Sequence, residues 1–188
     1  VNILAKLTTG KVTATVTGTA ADLVTALPDA KATDALTLTV TGTPTAADLK
    51  ALDGITSVVV DATAVTAISG NAADVKTVLA AKTIDTAEDV AVTVTGTVSA
   101  SDVNTITGAT AGVVTATVAG TAASLNAALK NANADALTLE LTGTTATAKD
   151  LKELAAKTSV NVDAMDIETI TGTLAEVTTV LTSGAIDT

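Results

Sequence analysis

VTATVTGTAADL, Val12–Leu23, returns 102 positions later as VTATVAGTAASL, Val114–Leu125. Outward from this pair, DALTLTVTGT (Asp34–Thr43) corresponds to DALTLELTGT (Asp135–Thr144) and SVVVDA (Ser57–Ala62) to SVNVDA (Ser159–Ala164). The match closes with Ile84-Asp85-Thr86 against Ile186-Asp187-Thr188. Self-similarity at a long fixed period is the mark of a repeat architecture, in which each unit buries a face only against its neighbours. The sequence therefore predicts one repeat domain over residues 1–188, with long units at 12–113 and 114–188, the second incomplete.

A shorter beat runs inside each unit. Gly18, Gly42, Gly70, Gly96, Gly120, Gly143 and Gly172 recur every 23 to 29 residues, which divides the chain into about seven coils. In each coil a strand leads through the glycine into a short helix and a loop. Leu36, Leu38 and Val40 alternate with Thr37, Thr39 and Thr41, the period-two pattern of a strand with one buried face. Val90, Val92 and Val94 repeat it, as do Leu137, Leu139 and Leu141. After the glycine, a Ser, Thr or Asn stands three residues before an acid: Thr19/Asp22, Thr45/Asp48, Asn71/Asp74, Ser99/Asp102, Thr147/Asp150 and Thr173/Glu176. That spacing lets side chains satisfy the free backbone donors of a helix start, and only Thr121, followed by Ser124, departs from it.

Strand, helix and strand in succession give parallel strands joined by right-handed crossovers. The predicted class is α/β: a right-handed strand–helix solenoid of about seven coils, with a parallel sheet on one side and short helices on the other. Because every second strand residue is polar, the far face of the sheet is expected to meet water. One coil per unit carries an insertion, Asp61–Ser69 and Asp163–Thr171, whose Val65 and Ile68, echoed by Ile167 and Ile170, predict that it packs.

Composition excludes much chemistry. Phe, Tyr, Trp, Cys and His are all absent, so thiol nucleophiles, disulfides, imidazole catalysis and His/Cys metal sites are out of reach. Twenty acids against ten basic residues leave a net charge of −10, which opposes binding to nucleic acid phosphates. No apolar run approaches the roughly 20 residues of a membrane helix. The expectation is a non-enzymatic chain with no cofactor, no nucleic acid partner and no membrane insertion.

The phrases VTVTGT (Val92–Thr97), TAADL (Thr19–Leu23 and Thr45–Leu49), SVVVDA and ISGNAADV (Ile68–Val75) resemble the Thr/Ala/Val-rich tandem repeats of giant bacterial, cyanobacterial-type, surface or secreted proteins. The resemblance implies an extracellular or cell-surface location and a structural or adhesive role, with surface polysaccharide as a possible partner class. Such proteins often carry calcium-binding nonapeptide repeats elsewhere, and no GGxGxD motif occurs here.

Two alternatives stay open. Val1-Asn2 matches Val103-Asn104 and Gly10 matches Gly112, so the chain opens within a repeat helix. Two full units would need 204 residues, and the 16 beyond the chain's 188 correspond to Ala87–Asp102. Uncapped ends fit either a segment of a longer array, partnered by neighbouring repeats, or identical subunits stacking end to end into a filament or sheath. The other alternative is binding of ice or cations by an outward threonine array: Thr13, Thr15, Thr17, Thr37, Thr39, Thr41, Thr93, Thr95, Thr115, Thr117, Thr138 and Thr142. On a parallel sheet these would stand ~4.8 Å apart across strands and ~6.6 Å apart along them. Val59, Asp61, Glu140, Asn161 and Asp163 interrupt the array, and Thr also simply suits an exposed strand. Asp34, Asp89 and Asp135, each just before a strand, could line up for cations or hold turns through their own backbone.

Overall fold

A computed structural model describes all 188 residues, Val1–Thr188. Helices and strands alternate as the sequence predicts, with every recorded strand register parallel. None of the sheets closes on itself. The chain forms two compact units, one of Val1–Thr93 with Thr110–Gly112, the other of Val94–Ala109 with Val113–Thr188.

In the first unit the elements are α1 (Asn2–Leu7), β1 (Thr13–Thr19), α2 (Ala20–Ala26), β2 (Ala35–Thr41), α3 (Ala46–Asp53), β3 (Val60–Ala62), β4 (Ala67–Gly70), α4 (Ala72–Ala80) and β5 (Ile84–Thr86). A sheet runs β1-β2-β3-β5, and α2, α3 and α4 pack side by side over it. The next strand, β6 (Ala91–Val98), carries the chain into the second unit. There α5 (Ala100–Thr107), β7 (Val114–Gly120), α6 (Ala122–Ala128), β8 (Ala136–Leu141), β9 (Thr145–Thr147) and α7 (Ala148–Ala155) follow. They are completed by β10 (Val162–Asp163), β11 (Thr169–Thr171), α8 (Leu174–Leu181) and β12 (Ile186–Asp187). The main sheet of this unit runs β12-β10-β8-β7 and on to β6, with β11 and β9 as a separate pair.

Alternation decides which strand face is buried. Leu36, Leu38 and Val40 of β2 are wholly buried, and Leu137 and Leu139 of β8 repeat them. The helices contribute Leu49 and Leu52 from α3 and Leu151 and Leu154 from α7, all buried. Each such side chain adds about 1.5–3 kcal/mol of apolar burial. At six to nine residues these helices are too short to persist alone, so the leucines that seat them on the sheet are what hold them.

Helix starts follow the sequence closely. Thr19, Thr45, Asn71, Ser99, Thr121, Thr147 and Thr173 each accept a hydrogen bond from the backbone N–H three residues on. Thr121 caps as the others do, although Ser124 stands where they have an acid. Only Thr173 with Glu176 forms the reciprocal box, in which Glu176 also accepts from the Thr173 N–H.

Two departures are informative. The insertion is packed in the first unit, where Val65 and Ile68 are buried, whereas Ile167 and Ile170 of the second are only half-buried. The loop from Leu129 to Asp135 is also one residue shorter than its counterpart from Leu27 to Asp34. It closes through Ala134, whose φ of 55° is left-handed and costs about 1–2 kcal/mol for a residue with a Cβ.

Candidate interaction surface

Threonines meet across adjacent strands in both units. In the first unit Thr15 pairs with Thr37, Thr17 with Thr39 and Thr19 with Thr41, while Thr13 faces Ala35. Thr13, Thr15, Thr17, Thr37 and Thr41 are exposed and Thr39 is half-buried. Beyond these two strands the rank becomes acidic, with Thr39 paired to Asp61 and Asp61 to Asp85. In the second unit Thr117 pairs with Thr138 while Thr115 faces Ala136. The adjoining rank is Ala119, Glu140, Asp163 and Asp187. Thr93 and Thr95 are exposed on β6, and Thr142 is exposed one residue past the end of β8, so it extends no strand rank.

Asp61, Glu140 and Asp163 interrupt the threonine pattern in the sequence. Asp61 pairs with Asp85 in the first unit, and Glu140 and Asp163 stand in register with Asp187 in the second, so each unit carries its own carboxylate row. The signal was present in the paired phrases SVVVDA and SVNVDA and in the Ile-Asp-Thr at 84–86 and 186–188. Asp61 is held by its own turn: the Thr63 hydroxyl (2.7 Å) and N–H (3.1 Å) both donate to Oδ1. These bonds hold its carboxyl below the usual aspartate value. Glu140, Asp163 and Asp166 border a shallow depression of ≈ 370 Å³ with Thr138 and Ile167.

Asp34 and Asp135 are structural staples. Asp34 is 1% exposed and accepts from the Val12 N–H (2.8 Å) and the Lys31 N–H (3.0 Å), which lowers its pKa. Asp135 repeats this with the N–H groups of Val114 (2.9 Å) and Asn133 (3.1 Å). A threonine then stitches each strand to the next. The Thr56 hydroxyl donates to the Leu36 carbonyl (2.7 Å) and the Ser57 N–H to the Asp34 carbonyl (2.7 Å). Thr158 and Ser159 do the same to Leu137 and Asp135, at 2.7 Å each. No buried side-chain polar atom lacks a partner. Leaving one unpaired would cost about 1–3 kcal/mol, which explains why a core this polar is tolerated.

Lysines finish the helix ends. Lys31 Nζ donates to the carbonyls of Ala5 (3.1 Å) and Thr8 (3.0 Å), and Lys157 Nζ to that of Leu129 (2.7 Å). A cation there meets the negative end of the helix dipole. At the opposite ends, grooves of ≈ 390 Å³ beside Thr19, Thr41 and Thr45 and ≈ 430 Å³ beside Thr121, Thr145 and Thr147 lie next to Asp48 and Asp150. These carboxylates already occupy the positive helix termini. Lys50 pairs with Asp74, whose carboxyl that contact and Asn71 hold low.

Apolar side chains are exposed on two helices. Ile3, Leu4 and Leu7 of α1 are 73%, 60% and 78% accessible, and Leu174 and Leu181 of α8 are 85% and 58%. No helix is long and apolar enough to cross a membrane. No family model, no curated protein and no solved structure matches the chain.

Proposed function

We propose that the chain is a non-enzymatic structural or adhesive repeat segment of an extracellular or cell-surface protein, built as a right-handed strand–helix solenoid of about seven coils. One observation carries the reading: the same stitch recurs from strand to strand, Asp34 on Val12 and Thr56 on Leu36, then Asp135 on Val114 and Thr158 on Leu137. Bonds that repeat with the sequence period build length by addition. The buried carboxylates and hydroxyls are consumed by this scaffold, and what remains outside is an acidic, threonine-rich surface suited to solubility and weak multiple contacts.

Adding units tests the proposal. When 102-residue units are joined in phase through the Ala87–Asp102 segment, small-angle scattering should show the maximum dimension rising by about 19 Å per unit, four coils at ~4.8 Å each. A radius of gyration growing only as a compact globule's would reject the solenoid.

A second reading, identical subunits stacking end to end into a filament, is favoured by the exposed Ile3, Leu4 and Leu7 on α1 and Leu174 and Leu181 on α8. Sedimentation at rising concentration decides it, and a monomer throughout would remove it.

A further inference from the structure

The turn Thr8–Gly10 and the outer edge of β1 reproduce, atom for atom on one side, an arrangement that is filled elsewhere in the molecule. At Thr110–Gly112 the Gly112 N–H donates to Thr110 Oγ1 (3.0 Å). The Thr110 hydroxyl then donates to the Val90 carbonyl (2.6 Å), and the Ala111 N–H to the Glu88 carbonyl (2.8 Å). Thr56–Val58 and Thr158–Val160 make the same hydrogen bonds with a valine in the third place: its N–H bonds back to the threonine Oγ1 at 3.1 and 3.0 Å, and the hydroxyl and second N–H reach two carbonyls at the start of the preceding strand.

Thr8–Gly10 makes the inner half of this motif. The Gly10 N–H donates to Thr8 Oγ1 at 2.9 Å. Its outer half, the Thr8 hydroxyl and the Thr9 N–H, points to no carbonyl, and all three residues are exposed. At Thr110–Gly112 the approach is closer than the other two copies, with valine in that place, allow: a Cβ on Gly112 would sit 2.3 Å from the Asp89 carbonyl oxygen and 2.5 Å from that of Val90. Gly10 keeps the glycine, although a Cβ there would meet nothing but Thr8 Oγ1, at 3.2 Å.

The neighbouring apolar positions tell the same story. Ala116 and Val118 of β7 are 4% and 0% exposed, whereas Ala14 and Val16, which match them in β1, are only half-buried. Val103 and Ile106 of α5 are wholly buried, while their counterparts Val1 and Leu4 are 41% and 60% exposed. Turn donors, a glycine clearance and a half-covered apolar strip therefore coincide on one edge.

We infer that this edge is a docking site for an extended segment of a neighbouring repeat, of the Ala87–Asp102 type. It lays its strand along β1, with carbonyls matched to those of Glu88 and Val90 on the Thr9 N–H and the Thr8 hydroxyl. Val92 and Val94, buried in their own setting, cover Ala14, Val16 and Leu4. This is strand addition to an open sheet edge, with backbone bonds giving affinity and alternate side chains giving selectivity. The inference rests on the tandem-array reading for its occupant.

The test uses the full chain and a dye-labelled 16-residue peptide of sequence Ala87–Asp102. Saturable binding below about 1 mM is expected, with amide shifts confined to Thr8–Thr19 and α1. Gly10→Val and Thr8→Val in the chain should each weaken it by about tenfold or more, as should Val92→Asp with Val94→Asp in the peptide. Circular dichroism and amide spectra check that each variant keeps its fold, which the exposure of Thr8 and Gly10 favours. No saturation, binding indifferent to Gly10→Val, or shifts centred elsewhere would overturn the proposal. So would self-association of the chain that the peptide fails to compete away. A polymer that lengthens by about 19 Å per unit yet binds no peptide sinks only the docking site. Peptide binding without that lengthening sinks only the array.

Discussion

β1 and β7 carry almost the same residues and live in different surroundings. In TATVTGT and VTATVAG the core-side alanine and valine are identical, yet Ala116 and Val118 are closed off while Ala14 and Val16 are half open. The turns before them, Thr8–Gly10 and Thr110–Gly112, differ in the same sense. The difference teaches that where a sequence repeats, the residues specify what a position can accept, and the neighbouring strand supplies what it gets. Substitutions at matched positions should therefore diverge by the amount the neighbour contributes.

Glycine gives the widest divergence. Gly112→Ala drives a Cβ into two backbone carbonyls that cannot rotate away, and we expect a loss of about 3 kcal/mol in denaturant unfolding. Gly10→Ala should stay within about 0.5 kcal/mol of the parent, since only the Thr8 hydroxyl must adjust. Equal losses at the two sites would mean that the close approach of Asp89 and Val90 is not what fixes this residue. Next comes valine. Val118→Ala opens a cavity in a closed core and should cost about 2 kcal/mol, against about 1 kcal/mol for the half-open Val16→Ala.

Acid distinguishes the units in another way. Asp34, Asp61 and Asp74 of the first unit and Glu176 of the second have carboxyls lowered by hydrogen bonds to the charged form, from Val12, Thr63, Lys50 and Thr173 respectively. A lowered folded-state pKa adds stability that is complete above the unfolded value and drains away as pH falls through the folded one. Melting temperature should therefore hold steady down to the ordinary values of 4.5 for Glu and 3.8 for Asp and then drop. Amide exchange at low pH should open β1 and β2 early, because Val12 and Lys31 lose their Asp34 acceptor. A melting temperature flat to pH 2, or exchange that opens β1 and β2 last, would count against these carboxylates as supports.

Much of this was legible beforehand, for physical reasons. Strict alternation in ALTLTVTG fixes a strand face without any knowledge of its partner, and the Ser/Thr/Asn caps are local, closing over three residues. What escaped was whatever depends on register between strands. Asp85 joins Asp61, and in the other unit Asp187 joins Asp163, only after the strands are aligned, and Asp34 looks like a turn former until Val12, 22 residues away, is found on its carboxylate. The pairing of threonines across strands is of the same kind: each strand shows the period, but that Thr15 meets Thr37 and Thr117 meets Thr138 is a matter of register.

Helix caps narrow the comparison further. Thr121 caps α6 with a single bond to the Ser124 N–H, whereas Thr173 and Glu176 satisfy two donors at α8. Thr121→Ala should cost about 1 kcal/mol, and Thr173→Ala should lower the melting temperature further.

The smallest effect has the opposite sign. Because the loop before β8 is one residue shorter than the loop before β2, Ala134 is forced to a φ of 55° to deliver Asp135 to the Val114 N–H. Glycine carries no Cβ penalty in that region but loses more freedom on folding. Ala134→Gly should accordingly stabilise the protein by only about 0.5 kcal/mol. Thr33, its counterpart in the longer loop, has no positive φ to relieve, so Thr33→Gly should destabilise. Opposite signs at two matched positions would trace the strain to the deleted residue, and matching signs would show that the shorter loop closes without it.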